Sequence, residues 1–223
     1  MIMLEGLNIK EIKSSLNSEN YIFLNNILKE ENPDAILVSL SKDLIDKYFQ
    51  ILIKSENIFL YLCEYKNETV GYAILSKKPS FLITEFKTLK YSILIDLIFG
   101  FKLKAIMNIF LSVSKIGLLL LSKDKKKFIH DNLNLHLLAV KKNYQSQGIG
   151  GEFILQILNN LEKNYNFEGI TVETYSKDAG SFYQKKLNFY YFGKKLRFFK
   201  NLNIFKKDFW SNKIKYELFT NRY

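Results

Sequence analysis

Hydrophobic residues in the N-terminal part of the chain recur at the spacing of amphipathic helices. The pattern runs from about residue 8 to 54, and Asn32-Pro33 divides it into two helices. The second helix is expected to begin near Ser41, an acceptable N-cap, because the apolar residues after it keep helical spacing: Leu44, Ile45, Tyr48, Phe49 and Leu52. We therefore predict two helices at the start of the chain.

A β-hairpin is predicted next. Ile58 to Tyr65 is an apolar and aromatic run, Lys66-Asn67-Glu68 supplies a polar turn, and Val70 to Leu75 forms a second apolar run. Cys63 lies in the first of these strands, directly after its most apolar stretch. We therefore expect a buried structural thiol there rather than a nucleophile.

Residues 79–131 form an insertion in which the helical pattern returns. Charged residues interrupt every window of about eighteen apolar residues, the length of a transmembrane helix, and they are Asp96, Lys102, Lys104 and Lys115. Two or three amphipathic helices are predicted, with a solvated loop at Lys123 to Lys127. We favour a helical flap over the core, or packing against a second subunit. Peripheral contact of residues 91–121 with a membrane is the less favoured alternative, because lysines accompany the apolar face.

The rest of the chain alternates between strand and helix patterns. Strands are predicted at Leu133 to Val140 and Gly169 to Tyr175, at Tyr190 to Gly193 with Lys195 to Phe199, and at Ile214 to Phe219. Helices are predicted at Gly150 to Lys163 and Ala179 to Lys186. Strands that alternate with helices are typical of an α/β protein.

Composition and charge narrow the classes of partner. The hydrophobic fraction of 48% is ample for a core, and 33 basic against 22 acidic residues give a formal net charge of +11. Such an excess favours polyanionic partners. The basic residues are scattered along the chain, however, whereas a nucleic-acid-binding surface needs them clustered on one face. We therefore expect no nucleic-acid partner.

Cysteine and histidine usage limits the chemistry further. Cys63 is the single cysteine, so an intramolecular disulfide is excluded and a reducing compartment is the simple inference. His130 and His136 are the two histidines, too few to complete a four-ligand His/Cys zinc site with that cysteine. Met1 to Glu5 does not read as a signal peptide. We expect a cytoplasmic protein without a bound metal.

The strongest functional signal is the loop that leads from the strand ending at Val140 into the next helix. Gly148 and Gly150 in this loop allow backbone N–H groups to approach a phosphate closely. The helix that begins there adds unpaired amides and the positive end of its dipole. The three glycines of a dinucleotide-binding fingerprint and the Gly-Lys-Ser/Thr of a P-loop are both missing from this loop. The loop therefore predicts a different diphosphate site.

This loop resembles the acetyl-CoA site of the GNAT superfamily of N-acetyltransferases. Gln145, Gly148 and Gly150 match the motif Gln/Arg-x-x-Gly-x-Gly/Ala, and Glu68 to Tyr72 is similar to the usual third strand. The resemblance implies one domain, residues 1–223, of α/β (α+β) class. Its central mixed sheet is flanked by helices, with the helical insertion at 79–131 between the third and fourth strands. The donor site would contain Leu138, Ala139, Val140, Gln145, Ser146, Gln147, Gly148, Ile149, Gly150, Gly151 and Asp178.

The resemblance also implies catalytic roles. Leu138 to Val140 resembles the splayed fourth strand, which pairs with the pantetheine arm, and Tyr183 resembles the tyrosine that protonates the CoA thiolate. Tyr183 to Phe189 is one residue longer than the usual spacing, and Asp178 stands nearest to the usual Asn. His136 is one candidate base, expected to face away from its neighbours Leu135 and Leu137. Glu173 is the other, and both have structural alternatives: packing for His136 and a salt bridge for Glu173.

The sequence therefore predicts transfer of an acetyl group from acetyl-CoA to the amine of a small acceptor. The alternative is a non-catalytic GNAT-fold module that binds acyl-CoA or a membrane surface. Transfer from longer acyl-CoAs differs only in the size of the donor pocket. The sequence leaves open the acceptor, the acyl chain length and the oligomeric state.

Overall fold

A seven-stranded sheet in the order β1-β2-β3-β4-β5-β7-β6 forms the centre of the protein. The computed structural model describes residues 4–31, 36–78, 89–99, 122–197 and 200–209. The strands are β1 (Leu7–Ile12), β2 (Ile58–Tyr65), β3 (Glu68–Ser76), β4 (Leu133–Val140), β5 (Gly169–Thr174), β6 (Tyr190–Arg197) and β7 (Lys200–Asp208). The helices are α1 (Ser18–Glu31), α2 (Lys42–Lys54), α3 (Lys90–Phe99), α4 (Lys123–Asp131), α5 (Ile149–Asn164) and α6 (Lys177–Leu187).

Helices cover both faces of this sheet. On one face α1 and α2 pack on β2 and β3 through residues such as Leu28, Phe49 and Leu60. We call this hydrophobic cluster the α1–α2 core. On the other face α5 and α6 pack through residues such as Phe153 and Leu187, the α5–α6 core. Strands β4 and β5 run parallel, while the other neighbouring strands are antiparallel. The predicted mixed sheet flanked by helices is thereby confirmed.

The first segment corrects the sequence interpretation, which placed helix from about residue 8. Residues Leu7–Ile12 form β1, which pairs antiparallel with β2, Ile9 opposite Cys63. The alternation of Leu7, Asn8, Ile9 and Lys10 between half-buried and exposed positions has the period of a strand. The helical pattern begins only at α1, and the predicted helix after Ser41 is confirmed as α2.

The predicted hairpin is confirmed as β2 and β3. Lys66 and Asn67 connect the strands with φ angles of 51° and 65°, which is the left-handed geometry that tight two-residue hairpin turns need. Gly71 in β3 allows β4 to lie close, since a Cβ there would be 2.8 Å from Ala139 O. Cys63 is fully buried, and burial raises the pKa of its thiol to about 12, as expected of a structural cysteine.

Two helices of the insertion are described. Helix α3 contacts the start of α2, where Ser41 N donates to Asp96 Oδ2 over 3.1 Å. The predicted solvated loop at Lys123 to Lys127 is wrong, because these residues form the first turns of α4. Ser122 caps α4 and Ile129 is buried on its inner side, so an apolar anchor follows the lysines. The predicted helical residues at 81–88 and 100–121 lie outside the described part.

The C-terminal prediction is confirmed for β4, α5, β5, α6 and β6. It missed β7, whose Leu202, Ile204 and Phe205 are buried and which lies between β5 and β6. The strand predicted at Ile214 to Phe219 falls outside the described residues. No helix in the described ranges is both long and apolar enough to cross a membrane.

Candidate active site

Strands β4 and β5 separate halfway along their length. Parallel pairing joins Leu133 to Ile170 and ends with Leu135 opposite Val172. Beyond that point β4 continues to Val140 paired with β3 alone, and β5 continues to Thr174 paired with β7. The facing edges of β4 and β5 therefore open a cleft, and along it the backbone groups of these edges have no neighbouring strand to pair with.

A β-bulge marks the point where the strands separate. Ile74 of β3 pairs with Leu137 and Leu75 pairs with Leu135, so His136 is an extra residue in β4. The bulge places Leu135 in the α5–α6 core and packs Leu137 against the α1–α2 core. The expectation that His136 faces away from both leucines is therefore wrong, because the bulge interrupts the simple alternation of the strand.

The glycine-containing loop connects the open end of β4 to α5. Gly148 adopts φ 83° and caps α5, and the first helical hydrogen bond runs from Glu152 N to Gly148 O over 3.0 Å. The amides of Ile149, Gly150 and Gly151 come before that first bond in the chain. They therefore have no carbonyl acceptor within the helix. A Cβ at Gly148 or Gly151 would meet no atom within 4 Å, so the glycines leave open space in front of these amides.

Hydrogen bonds that loop residues donate to two carboxylates hold the loop in place. Glu68, at the start of β3, accepts from Lys141 Nζ and from Tyr144 Oη, both over 2.5 Å. Gln145 Nε2 donates to Val140 O over 2.8 Å and to Glu31 Oε2, at the end of α1, over 2.6 Å. The loop is thus fixed to the hairpin on one side and to α1 on the other.

Local contacts set the shape of the loop between these supports. Gln147 Nε2 donates to Asn143 O over 2.8 Å. Ser146 adopts φ 61°. This left-handed conformation is energetically unfavourable for any residue that has a side chain. Two left-handed residues, Ser146 and Gly148, therefore turn the chain from the strand direction into the axis of α5.

Helix α6 borders the other side of the cleft. The spot where a Cβ on Gly150 would lie is 3.6 Å from Val140 Cγ2 and 4.0 Å from Phe182 Cζ. Phe182 therefore lies next to the end of β4 and the start of α5. Its neighbour Tyr183 is buried in the α5–α6 core, with its ring centroid 5.6 Å from that of Phe189, and burial raises the pKa of its phenol. The phenol consequently stays protonated at neutral pH.

The end of α6 accommodates the extra residue between Tyr183 and Phe189. Asn188 adopts φ 56°, and the amides of both Asn188 and Phe189 donate to Tyr183 O. This wide turn lengthens the exit from the helix. At the other end Ser176 caps α6 by accepting from Ala179 N over 3.2 Å, while Asp178 is exposed in the first turn.

The two candidate bases have different surroundings. His136 Nε2 lies 2.7 Å from Ser76 Oγ, and its side chain is half-buried. Glu173 accepts from Lys195 Nζ over 2.5 Å, and both side chains are largely buried. Glu173 lies one residue beyond Val172, where pairing with β4 ends. Both candidates are therefore close to the split, and Glu173 carries the salt bridge considered for it.

Solved structures with the same architecture decide the fold. An acetyl transferase from Salmonella typhimurium that modifies the N-terminal serine of a 50S ribosomal subunit protein has TM-score 0.55 and 10% identity, over 92% of this chain and 96% of that one. A protein from Desulfovibrio desulfuricans assigned to the GNAT family has TM-score 0.53 and 8% identity, over 91% of this chain and 98% of that one. NAA60 from Arabidopsis thaliana, whose structure was solved with acetyl-CoA, has TM-score 0.52 and 11% identity, over 91% of this chain and 98% of that one.

The fold is that of the GNAT acetyltransferases. No protein-family profile matches the sequence, and no curated protein matches it by sequence. At these identities the comparison with solved structures establishes the architecture alone. The GNAT fold gives the split between β4 and β5 and the glycine loop of this chain a common framework.

Several contacts at this GNAT-fold site were not predicted from the sequence. Ser76 contacts His136, and Glu68 contacts Tyr144 of the loop, each across a long separation in sequence. Phe182 was passed over in favour of its neighbour Tyr183. The sequence carries no signal for these contacts, because they depend on strand register and on the bulge. Within the described ranges no group of three or more His, Cys, Asp or Glu side chains is arranged to hold a metal ion.

Proposed function

We propose that this protein transfers an acetyl group from acetyl-CoA to the amine of a small acceptor. The observation that carries the proposal is the open edge of β4, which leads directly to the amides at the start of α5 that have no acceptor within the helix. A long donor with a polar arm and a diphosphate needs these two features in this order. The arm can pair with strand backbone, and the diphosphate can bind the helix N-terminus.

The donor would be held mainly by backbone groups. The amides of Ile149, Gly150 and Gly151 would receive the diphosphate, and the space beside the loop is open, since a Cβ at Gly148 or Gly151 would meet no atom within 4 Å. The edge of β4 from Leu138 to Val140 would pair with the pantetheine arm. Gln145 and Gln147 keep the loop in shape by their hydrogen bonds to Val140 O and Asn143 O. Ser146 contributes its left-handed turn, and Asp178 remains a proposed contact at the start of α6.

The proposed reaction is direct transfer. The lone pair of the acceptor amine attacks the thioester carbonyl carbon, the amine proton passes to a base, and the C–S bond breaks. The thiolate then takes a proton from Tyr183, whose raised pKa keeps it in the protonated form. A backbone amide of β4 would stabilise the negative charge that develops on the carbonyl oxygen.

Of the two candidate bases, we favour His136 over Glu173. Protonation of Glu173 would break its salt bridge to Lys195, in which both side chains are largely shielded from water. His136 is hydrogen-bonded to a neutral hydroxyl and lies at the bulge where the cleft begins.

Calorimetric titration with acetyl-CoA tests the donor half of this proposal. We expect micromolar binding by the native chain, which Gly148→Trp abolishes because the indole would fill the open space in front of the amides. Asn159→Trp, on the exposed side of the same helix, is the matched control and should bind normally. No binding by a folded native chain would contradict the proposal. Binding without transfer to any amine in an acceptor screen would instead favour a non-catalytic acyl-CoA-binding module.

A further inference from the structure

One face of the sheet carries a group of polar side chains at the point where β4 and β5 separate. Ile170 and Val172 belong to the α5–α6 core, so Thr171 and Glu173, which alternate with them along β5, face the opposite side. Three side-chain hydrogen bonds join members of this group in pairs. The group, which we call the polar strip, consists of Ser76, Asn134, His136, Thr171, Glu173 and Lys195.

The acceptor would approach the split from the face that carries the polar strip. Helices α5 and α6 cover the other face, and the proposed diphosphate site lies at the start of α5. On the side of the polar strip the hydrophobic packing is divided into two clusters. Leu137 packs against the α1–α2 core, whereas Ile204, opposite Glu173 in register, packs with Ile129 of α4. The polar strip therefore has an apolar cluster on each side.

Glu173 and Lys195 form an ion pair in the polar strip. Lys195 Nζ donates to Glu173 Oε1 over 2.5 Å, and the contact spans β7 from β6 to β5. The exposed fractions of the two side chains are 13% for Glu173 and 19% for Lys195. A pair with so little exposure contributes little net stability, because the loss of hydration offsets the attraction between the charges. Stability is therefore a weak reason for charges at this place, one residue beyond the last pairing of β5 with β4.

The ion pair leaves hydrogen-bonding capacity on both of its members. A carboxylate has two acceptor oxygens, and a lysine ammonium has three N–H groups. In the described part of the chain, the contact between Lys195 Nζ and Glu173 Oε1 is the only hydrogen bond of either charged group. Glu173 Oε2 can therefore accept from a positive group of a ligand, and Lys195 Nζ can donate to a negative one.

We propose that the Glu173–Lys195 pair selects the acceptor, and that the acceptor is a free α-amino acid. The inference rests on the proposed function for the transfer itself. The amine would lie at Glu173, which is the member of the pair nearer to the split, and the carboxylate would lie at Lys195. Both charged groups of an α-amino acid are attached to one carbon, so they can contact both members of one ion pair together. In this proposal the two side chains bind the acceptor and transfer no proton.

The proposed contacts exclude other classes of amine. An amine without a carboxylate leaves the acceptor side of Lys195 without an anionic partner, and an amine with a second positive charge meets repulsion from the ammonium. The amide of the same amino acid keeps the shape of the acceptor but loses the negative charge. Comparison of an amino acid with its own amide therefore isolates the contribution of Lys195.

An acceptor screen with matched compounds tests this selection on the native chain. The probes are α-amino acids, their carboxamides and the corresponding amines without the carboxyl group, assayed by release of CoA from acetyl-CoA. We expect the highest kcat/KM for a free amino acid and a fall of at least about tenfold for its carboxamide, because a hydrogen bond between two charged groups is lost. Equal or faster transfer to the carboxamide or to the amine would overturn the proposal.

Substitution of Lys195 tests the same contact from the side of the protein. In Lys195→Met we expect KM for the amino acid to rise about tenfold or more, while KM for its carboxamide changes little and Kd for acetyl-CoA stays the same. Lys194→Met is the matched control, because Lys194 is exposed and lies next to Lys195 in the same strand with its side chain on the other face. An equal loss for both acceptors in folded Lys195→Met would contradict selection by charge.

Exchange of the two charges separates acceptor binding from a purely structural role. The double variant Glu173→Lys with Lys195→Glu keeps an ion pair at the same place, and thermal unfolding shows whether its stability is kept. We expect its kcat/KM for amino acids to fall at least about tenfold, because the amine is now attracted away from the split. Native kinetics in the double variant would refute the proposal.

The outcomes also separate this inference from the proposed function. If no amine in the screen is acetylated, the proposed function fails and the inference fails with it. If amines are acetylated equally well with and without a carboxylate, the selection by Glu173 and Lys195 fails alone and the proposed transfer stands.

Discussion

Substitution of Gly148 by alanine tests the geometry of the glycine loop. Gly148 has φ 83°, but a Cβ at this position would meet nothing within 4 Å. The cost is therefore backbone strain alone. A left-handed conformation costs an L-residue about 1–2 kcal/mol, and the lower entropy of the unfolded alanine variant offsets about 0.4–1 kcal/mol of it. We expect Gly148→Ala to lower the free energy of unfolding by about 1 kcal/mol.

Gly151→Ala is the matched control, because it lies in α5 with helical backbone and its Cβ would also meet nothing within 4 Å. Alanine inside a helix is more favourable than glycine by about 0.5–1 kcal/mol, so this variant should be more stable than the native chain. Urea unfolding of both variants measures the difference, with equal m values as the check on two-state behaviour. Equal stabilities for the two variants would refute the backbone geometry described for Gly148.

Three further predictions concern contacts around the site and α4. Tyr144→Phe removes a loop tether without changing charge, so Kd for acetyl-CoA should rise severalfold, whereas Tyr65→Phe should bind as the native chain does. Lys206→Met should destabilise the protein by about 1 kcal/mol in thermal unfolding, since Lys206 Nζ lies 3.5 Å from the Phe128 ring centroid. The hydrogen bonds from Lys141 and Tyr144 lower the pKa of Glu68 below its ordinary 4.5. Its contribution to stability should therefore be present above pH 4.5 and be lost as pH falls through the lowered pKa, in pH-dependent unfolding.

The sequence predicted those parts of the fold whose signals are local. Helix α2, the β2–β3 hairpin and the β4–α5 unit follow from hydrophobic period, turn residues and the glycine loop, and each is confirmed. Strand β1 was missed because a short alternating segment precedes a long helical one. The error at Lys123 to Lys127 has a similar cause, since charge alone indicated a loop while the buried Ile129 anchors a helix.

For the candidate site, the sequence indicated which residues to consider but not how they are oriented or which residues they contact. The loop at Gln145 to Gly151 could be proposed as a diphosphate site from its glycines, and the open end of β4 was implied by the resemblance to GNAT acetyltransferases. The orientation of His136 could not be predicted, because a single bulge residue shifts the faces of β4. The contact of His136 with Ser76 depends on the same register and spans 60 residues of sequence.

A crystal structure of the protein with acetyl-CoA is the sharpest test of the proposed donor site. We expect the diphosphate at the amides of Ile149, Gly150 and Gly151, and the pantetheine arm along the edge of β4 from Leu138 to Val140. We also expect the acetyl group near His136. Acetyl-CoA bound elsewhere, with the β4 edge and the start of α5 unoccupied, would show that these elements do not form the donor site.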